Sequence, residues 1–370
     1  MSTFKVPVAD LYAQYLSIKG EIDDAIADVI RGSAFIRGPI VTEFETSFAA
    51  IAGAAHCVSC ANGTDALYIG MRALGVSAGD EVIVPAHSWI STSATVTQAG
   101  GSVVFVDTDQ STYTIDPAQI EQKITARTVG IVPVHLYGQP ADMDAIMAIA
   151  ARYGLWVLED CAQAHLARFR GRKVGTFGSA AAYSFYPGKN LGAMGDAGAL
   201  VTADRTLAEQ MARLARHGGL TKGEHLIEGI NSRLDGLQAA ILSVKLTHLA
   251  TWTQRRQKVA GIYSRLLDGV DGLTLPQVAE GREHVYHLYV VGHAKRDELA
   301  KHLAAHGIQT VINYPVALPF LPAYARLGHR REDFPNAYAN QSRVLSLPMF
   351  PEITDAQISQ VAEAVRAFAA

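Results

Sequence analysis

The chain has 370 residues, 49% hydrophobic and 18% charged, with a formal net charge of −3 and a pI near 6.5. That balance suits a globular protein with a large core, and it offers no basic footprint for nucleic acid or an anionic membrane. The N-terminal MSTFKVPVADLYAQ has no basic patch leading into an apolar core, and no apolar run reaches ~18 residues. No signal peptide or membrane span is expected, and a cytoplasmic protein follows. The cysteines are Cys57, Cys60 and Cys161. Their odd count argues against a disulfide framework, and no further Cys or His pair stands at ligand spacing, so no metal site is expected.

Residues 43–204 alternate short apolar runs with helical segments. HCVSC reads as a buried strand and leads into ANGTDALYIGMRAL, where Leu67, Met71 and Leu74 recur at helical spacing. EVIVPAH and SVVFVD are strands on either side of a Ser/Thr-rich helix at 91–98. TVGIVPVHLYG, a helix at 143–153 and the strand LWVLED follow, then AAAYSF and GALVTA as two strands with no long helix between them. Such alternation predicts an α/β fold with a mainly parallel sheet covered on both faces.

Beyond residue 207 the pattern changes. Residues 207–216 are helical, and a long helix runs from 233 through 248 towards 267. After a break at Pro276 come a strand in HVYHLYVVGH, a helix in RDELAKHLAAHG, a strand in IQTVINYP and a closing helix at 355–368. Pro315, Pro319 and Pro322 make their segment a loop. The expected division is a large α/β domain at 1–250 and a smaller α+β domain at 251–370.

The chemistry concentrates between 155 and 200. LWVLED ends on Asp160, a carboxylate closing an apolar run, while Glu159 points to the opposite face. Downstream, AAAYSF delivers Ser184, and the Pro187-Gly188 turn leaves Lys189 on a loop poor in charge, where a lysine pKa falls. A lysine amine forms an imine with a carbonyl cofactor, and a carboxylate holds a pyridine nitrogen protonated. That pair is what pyridoxal 5'-phosphate asks of a protein. Gln163 stands within reach of the cofactor's ring hydroxyl. Gly63 and Thr64, between a strand and a helix, suit a phosphate. Taken alone, a plain cap by Thr64 or Asp65 explains that segment better. Trp89 either stacks on a flat ring or fills the core, two readings of equal weight. No G-x-G-x-x-G follows the first strand, so a Rossmann dehydrogenase is excluded.

VLEDCAQAH, AAYSFYPGKNLGAMGDAGALVT, ANGTDAL and GINSRLDGLQAAIL together resemble the DegT/DnrJ/EryC1/StrS family of sugar aminotransferases, over nearly the whole chain. The resemblance implies the aspartate-aminotransferase fold (fold type I), with Lys189 as imine-forming lysine and acid/base. It further implies Asp160 at the ring nitrogen, Gln163 at the ring hydroxyl, Trp89 stacked on the ring, and Gly63, Thr64 and Ser184 on the phosphate. Asn231 would reach the cofactor of a second subunit, which implies a homodimer with shared active sites. Tyr186-Pro187-Gly188 before the lysine and Gly195-Asp196-Ala197-Gly198 after it resemble the branch that aminates 3-keto-6-deoxyhexoses on a nucleotide, here dTDP, with L-glutamate as donor. Amination at C-4, or of a cyclitol, is the alternative, and a non-catalytic regulatory protein of the same fold is the rival of another class. Tyr314, His217 and Arg233 are the candidate substrate contacts. Pro319 stands where that branch often carries a histidine.

Overall fold

The alternating strands and helices assemble around one central sheet in a computed structural model that describes residues 4–369. Helices α1 (Leu11–Ser17), α2 (Lys19–Arg31) and α3 (Pro39–Ala52) come first. Then follow β1 (His56–Cys60), α4 (Gly63–Ala73), β2 (Glu81–Pro85), α5 (Ser91–Gln98), β3 (Ser102–Val106), β4 (Thr128–Ile131), α6 (Met143–Tyr153) and β5 (Trp156–Asp160). A short hairpin, β6 (Arg168–Phe169) and β7 (Arg172–Lys173), precedes β8 (Ala180–Ser184), β9 (Gly198–Thr202) and α7 (Arg205–Ala215). The sheet order is β1-β9-β8-β5-β4-β2-β3, and β9 runs against the direction shared by the other six strands. All residues of β2, β8 and β9 are buried, as strands covered on both faces must be. On one face Leu67 and Met71 of α4 pack with Leu158 and Leu200. On the other, Phe44 and Phe48 of α3 pack with Tyr183, Phe185 and Leu246.

Helix α8 (Gly236–Leu267) is a single rod of 32 residues. Leu242, Leu246 and Leu249 belong to the core beneath the main sheet, whereas Val259, Tyr263 and Leu267 belong to a second core. The boundary expected at 250 falls inside this helix, between the two groups. The second core is closed by β10 (Leu273–Thr274), β12 (Tyr289–His293), α9 (Arg296–Ala305), β13 (Val344–Leu347) and α11 (Asp355–Ala369), with strand order β10-β12-β13. β11 (Arg282–Glu283) pairs instead with β6, and α10 (Pro335–Gln341) lies before β13. Val6, near the N-terminus, packs in this second core and bridges Ile308. Among the described residues no helix is long and apolar enough to cross a membrane.

Three details depart from the sequence reading. HVYHLYVVGH yields a strand only from Tyr289, because its first half spends its N–H groups elsewhere: Val285 donates to Gly138 and Leu288 to Tyr137. IQTVINYP forms no strand. It makes isolated bridges at Ile308 and Val311, then leaves the sheet edge. Its place beside β12 is taken by β13, a run of four residues too short to stand out. The segment around Pro315, Pro319 and Pro322 holds two short 3₁₀ turns.

Gly70 is where α4 touches the sheet, since a Cβ there would lie 3.1 Å from side-chain carbons of Leu158 and Leu200. Gly70→Val is expected to lower stability by ~1–3 kcal/mol through overpacking. The measurement is a urea midpoint that falls while the slope m stays constant.

Candidate active site

Four parallel strands end on one edge of the sheet, where open α/β sheets place their ligands. The loops leaving that edge carry Asn62 to Asp65 after β1, Ser88 to Thr92 after β2, Asp160 to Gln163 after β5, and Ser184 to Lys189 after β8. With His287, Asn313 and Tyr314 from the C-terminal unit they enclose a cavity of about 740 Å³.

At one end α4 meets β8. A Cβ on Gly63 would lie 2.6 Å from the Ser184 Cβ, so only glycine lets the helix start come this close. The cap of α4 is Asn62, whose Oδ1 accepts from the Asp65 N–H at 2.8 Å, and not Thr64 or Asp65. Thr64 is thereby left free of capping, and its hydroxyl pairs with Ser91 Oγ at 2.7 Å on the cavity wall. A helix N-terminus with hydroxyls from Thr64, Ser91 and Ser184 around it suits an anion.

Asp160 lies deeper, 5% exposed. Its Oδ1 accepts from the Ala162 N–H at 3.1 Å and its Oδ2 from the Thr92 hydroxyl at 2.9 Å. Burial raises its pKa; those two donors, then Lys189, oppose the rise. No helix starts at Cys161, so Asp160 caps nothing. Glu159 faces the other way, as strand alternation requires. One of its oxygens accepts from the N–H groups of Phe177 and Gly178, the other from Gly175 and His135 Nε2. His135, Glu159 and Cys161 do gather within 4.8 Å, but both carboxylate oxygens are already spent. The cluster anchors β5.

Lys189 sits in a turn braced from behind. Its own N–H donates to Tyr186, Lys245 Nζ donates to the Gly192 carbonyl at 2.8 Å, and Gln238 Oε1 accepts from the Met194 N–H at 2.8 Å. Burial lowers the Lys189 pKa to about 8, with Asp160 working against it. The low-charge loop thus has the consequence read from its sequence.

Trp89 is 58% exposed and lines the cavity, which excludes a core role. Its ring lies 5.6 Å from that of Tyr314. Gln163 accepts from the Tyr137 N–H through Oε1, so its amide is oriented with Nε2 towards the Tyr314 hydroxyl, at 2.9 Å. Tyr314 accepts there and keeps its own hydrogen for another partner.

Lys189, Asp160, Gly63, Thr64, Trp89, Gln163, Ser184 and Tyr314 therefore share one cavity. Asn231, His217 and Arg233 do not line it. Asn231 and His217 are exposed and Arg233 is half-buried. Sequence reasoning missed Thr92, Ser91 and His287. The first two are lost among the many hydroxyls of α5. His287 stands in a strand-like run, yet its Nδ1 lies 3.2 Å from Asn190 Oδ1 and its ring lines the cavity. Because Asn190 Nδ2 donates to Val285, Asn190 Oδ1 is the acceptor and His287 Nδ1 the donor. Burial, then Lys189, holds this imidazole well below its usual range.

The model of the DegT/DnrJ/EryC1/StrS aminotransferase family matches residues 16–366. The chain belongs to that family. It is a pyridoxal 5'-phosphate-dependent aminotransferase of fold type I. A "pleiotropic regulatory protein" of Geobacillus stearothermophilus is 46% identical over 365 residues, 98% of each chain. The dTDP-3-amino-3,4,6-trideoxy-alpha-D-glucose transaminase of Streptomyces venezuelae is 44% identical over 367 residues, 99% of this chain and 97% of that one. The crystal structure of S. venezuelae DesV in complex with a ketimine intermediate superposes with a TM-score of 0.96 at 45% identity, covering 98% of each chain. The cavity fits the class. It has a cradle at Gly63 that a Cβ would fill, a carboxylate held by two donors, and an amine whose pKa burial lowers to about 8.

Only a neutral amine attacks a carbonyl. Cofactor uptake by the stripped protein is therefore expected to quicken as pH rises through about 8 and to level off above it. Asp160→Asn removes the charge that raises the amine's pKa, so the midpoint should move to lower pH. Stopped-flow absorbance measures both. Gly63→Ala crowds the cradle and should weaken cofactor retention by about tenfold, the worth of one hydrogen bond to a charged group, read by equilibrium dialysis.

Proposed function

We propose that this enzyme moves the amino group of L-glutamate to the C-3 ketone of a dTDP-linked 3-keto-6-deoxyhexose. The observation that carries the substrate is the full-length similarity to a transaminase named for a dTDP-3-amino sugar. The loop text supports it: Tyr186-Pro187-Gly188 precedes Lys189, and Gly195-Asp196-Ala197-Gly198 follows.

Pyridoxal 5'-phosphate, when bound, supplies the electron sink through which an amino group leaves one carbon and joins another. The chain supplies the rest. Gly63, Thr64 and Ser184 hold the phosphate, and Trp89 covers one face of the ring. Asp160 keeps the ring nitrogen protonated, and Gln163 donates to the ring hydroxyl. Lys189, with a pKa of about 8, would take the proton from the donor Cα and deliver it to C4' of the cofactor. Tyr314, with a hydrogen to give, contacts the sugar or its diphosphate.

The protein acts as a homodimer, with Asn231 of each chain reaching the other's cofactor phosphate and His217 and Arg233 on the sugar side. Several features support this. Asn231 is exposed, while the adjacent Ser232 is buried and donates to Asp65 beside the cradle. Exposed Phe35 and Ile36 border the same segment, Ile36 bridging Asp235, and they offer apolar surface to a partner.

A relative bearing a regulatory name makes a sensor the second reading. A protein that only binds has no need of a proton shuttle, so the intact set Asp160, Gln163, Ser184 and Lys189 around one cavity favours catalysis. Lys189→Ala should abolish both the visible absorption of the bound cofactor and turnover; full turnover in this variant would sink the assignment. Product NMR after incubation with 3-keto and 4-keto nucleotide sugars should place nitrogen on C-3. Light scattering should return about twice the chain mass of 39.6 kDa.

A further inference from the structure

Asp160 does not hold its charge unaided. Burial favours the neutral acid, and a neutral acid cannot keep a ring nitrogen cationic. Two donors oppose that tendency, the Ala162 N–H and the Thr92 hydroxyl. Thr92 owns a single hydroxyl hydrogen, and the ionised Asp160 oxygen facing it can only accept. Thr92 must therefore donate to Asp160. Ser88 Oγ lies 2.9 Å from Thr92 Oγ1, so in that pair Ser88 must be the donor. The hydroxyls of Ser88 and Thr92 thus point one way, in series, at the carboxylate. Both residues are buried, at 3% and 1% exposure, where such bonds are little weakened by water.

The neighbours of Thr92 on α5 behave differently. Ser93, Thr95 and Thr97 spend their hydroxyls on backbone carbonyls of their own turn, at Ile90, Ser91 and Ala94. Thr92 alone among these four reaches across to β5. Its backbone N–H also donates to the Trp89 carbonyl, so the residue that aims the carboxylate and the one that covers the ring share a turn.

We propose that Thr92 is a positioning residue for catalysis, with Ser88 behind it, and that this hydroxyl relay keeps Asp160 ionised and directed at the ring nitrogen. The proposal rests on Asp160 being the partner of that nitrogen. Thr92→Val keeps the bulk and removes the hydrogen bond. In enzyme loaded with ring-¹⁵N-labelled cofactor at pH 8, this variant should move the ¹⁵N resonance towards the unprotonated position. It should also slow the single-turnover half-reaction with L-glutamate by about tenfold, the equivalent of one pKa unit. Thr92→Ser should restore both. Ser88→Ala should shift both in the same direction by less, and should add nothing in the Thr92→Val background. It also keeps the test open if Thr92→Val fails to fold. An unprotonated nitrogen in the unmodified enzyme would overturn the reading of Asp160 itself. A nitrogen protonated in the unmodified enzyme and unchanged in Thr92→Val would overturn the relay alone, as would a Ser88→Ala effect that adds in full to that of Thr92→Val.

Discussion

In the proposed reaction Lys189 and Asp160 require opposite things from the same dry space. The amine must lose its proton readily, and burial helps it. The carboxylate must keep its charge, and burial works against it. Their mutual attraction is a compromise, since it holds Asp160 down only by raising Lys189. The asymmetry is resolved by hydrogen bonds given to one partner. Asp160 receives the Ala162 N–H and the Thr92 hydroxyl, both of which favour its charged form. The remainder of the site can be understood as the means of delivering those donors at one edge of the sheet.

That edge is stiffened on several sides. Glu159, on the far face of β5, locks the strand to the turn at 175–178 and to His135 through its two saturated oxygens. The lysine loop is pinned to α8 through Gln238 and Lys245. Because α8 is continuous through both cores, it ties the loop bearing Lys189 to the unit that brings His287, Asn313 and Tyr314 to the cavity. The loop carrying the amine proposed as catalytic is thereby braced by two hydrogen bonds with α8.

Much of this was legible in the letters. The helices at 91–98 and 143–153 have the bounds read from the sequence, and the cysteines are free. Trp89, undecided from sequence, stands exposed on the cavity wall and not in the core. What escaped notice did so for physical reasons. Thr92 is one hydroxyl among several on α5, and only its reach to Asp160 at the end of β5 distinguishes it. IQTVINYP has strand composition, yet pairing depends on an available edge, and β13 occupies that edge. His287 stands in a run of strand composition, and only the docking of the C-terminal unit brings it to the cavity.

By itself, the sequence determined the sheet class, the carboxylate at the end of β5, the lysine in a low-charge turn, and the glycine between β1 and α4. Each is a local matter of period, turn chemistry or side-chain volume. The tertiary structure alone decided which hydroxyl reaches Asp160, that Asn62 and not Thr64 caps α4, and which face of the C-terminal unit closes the cavity. Those choices depend on the donors that remain unspent once backbone and core are satisfied, and that remainder is known only after the whole chain has packed.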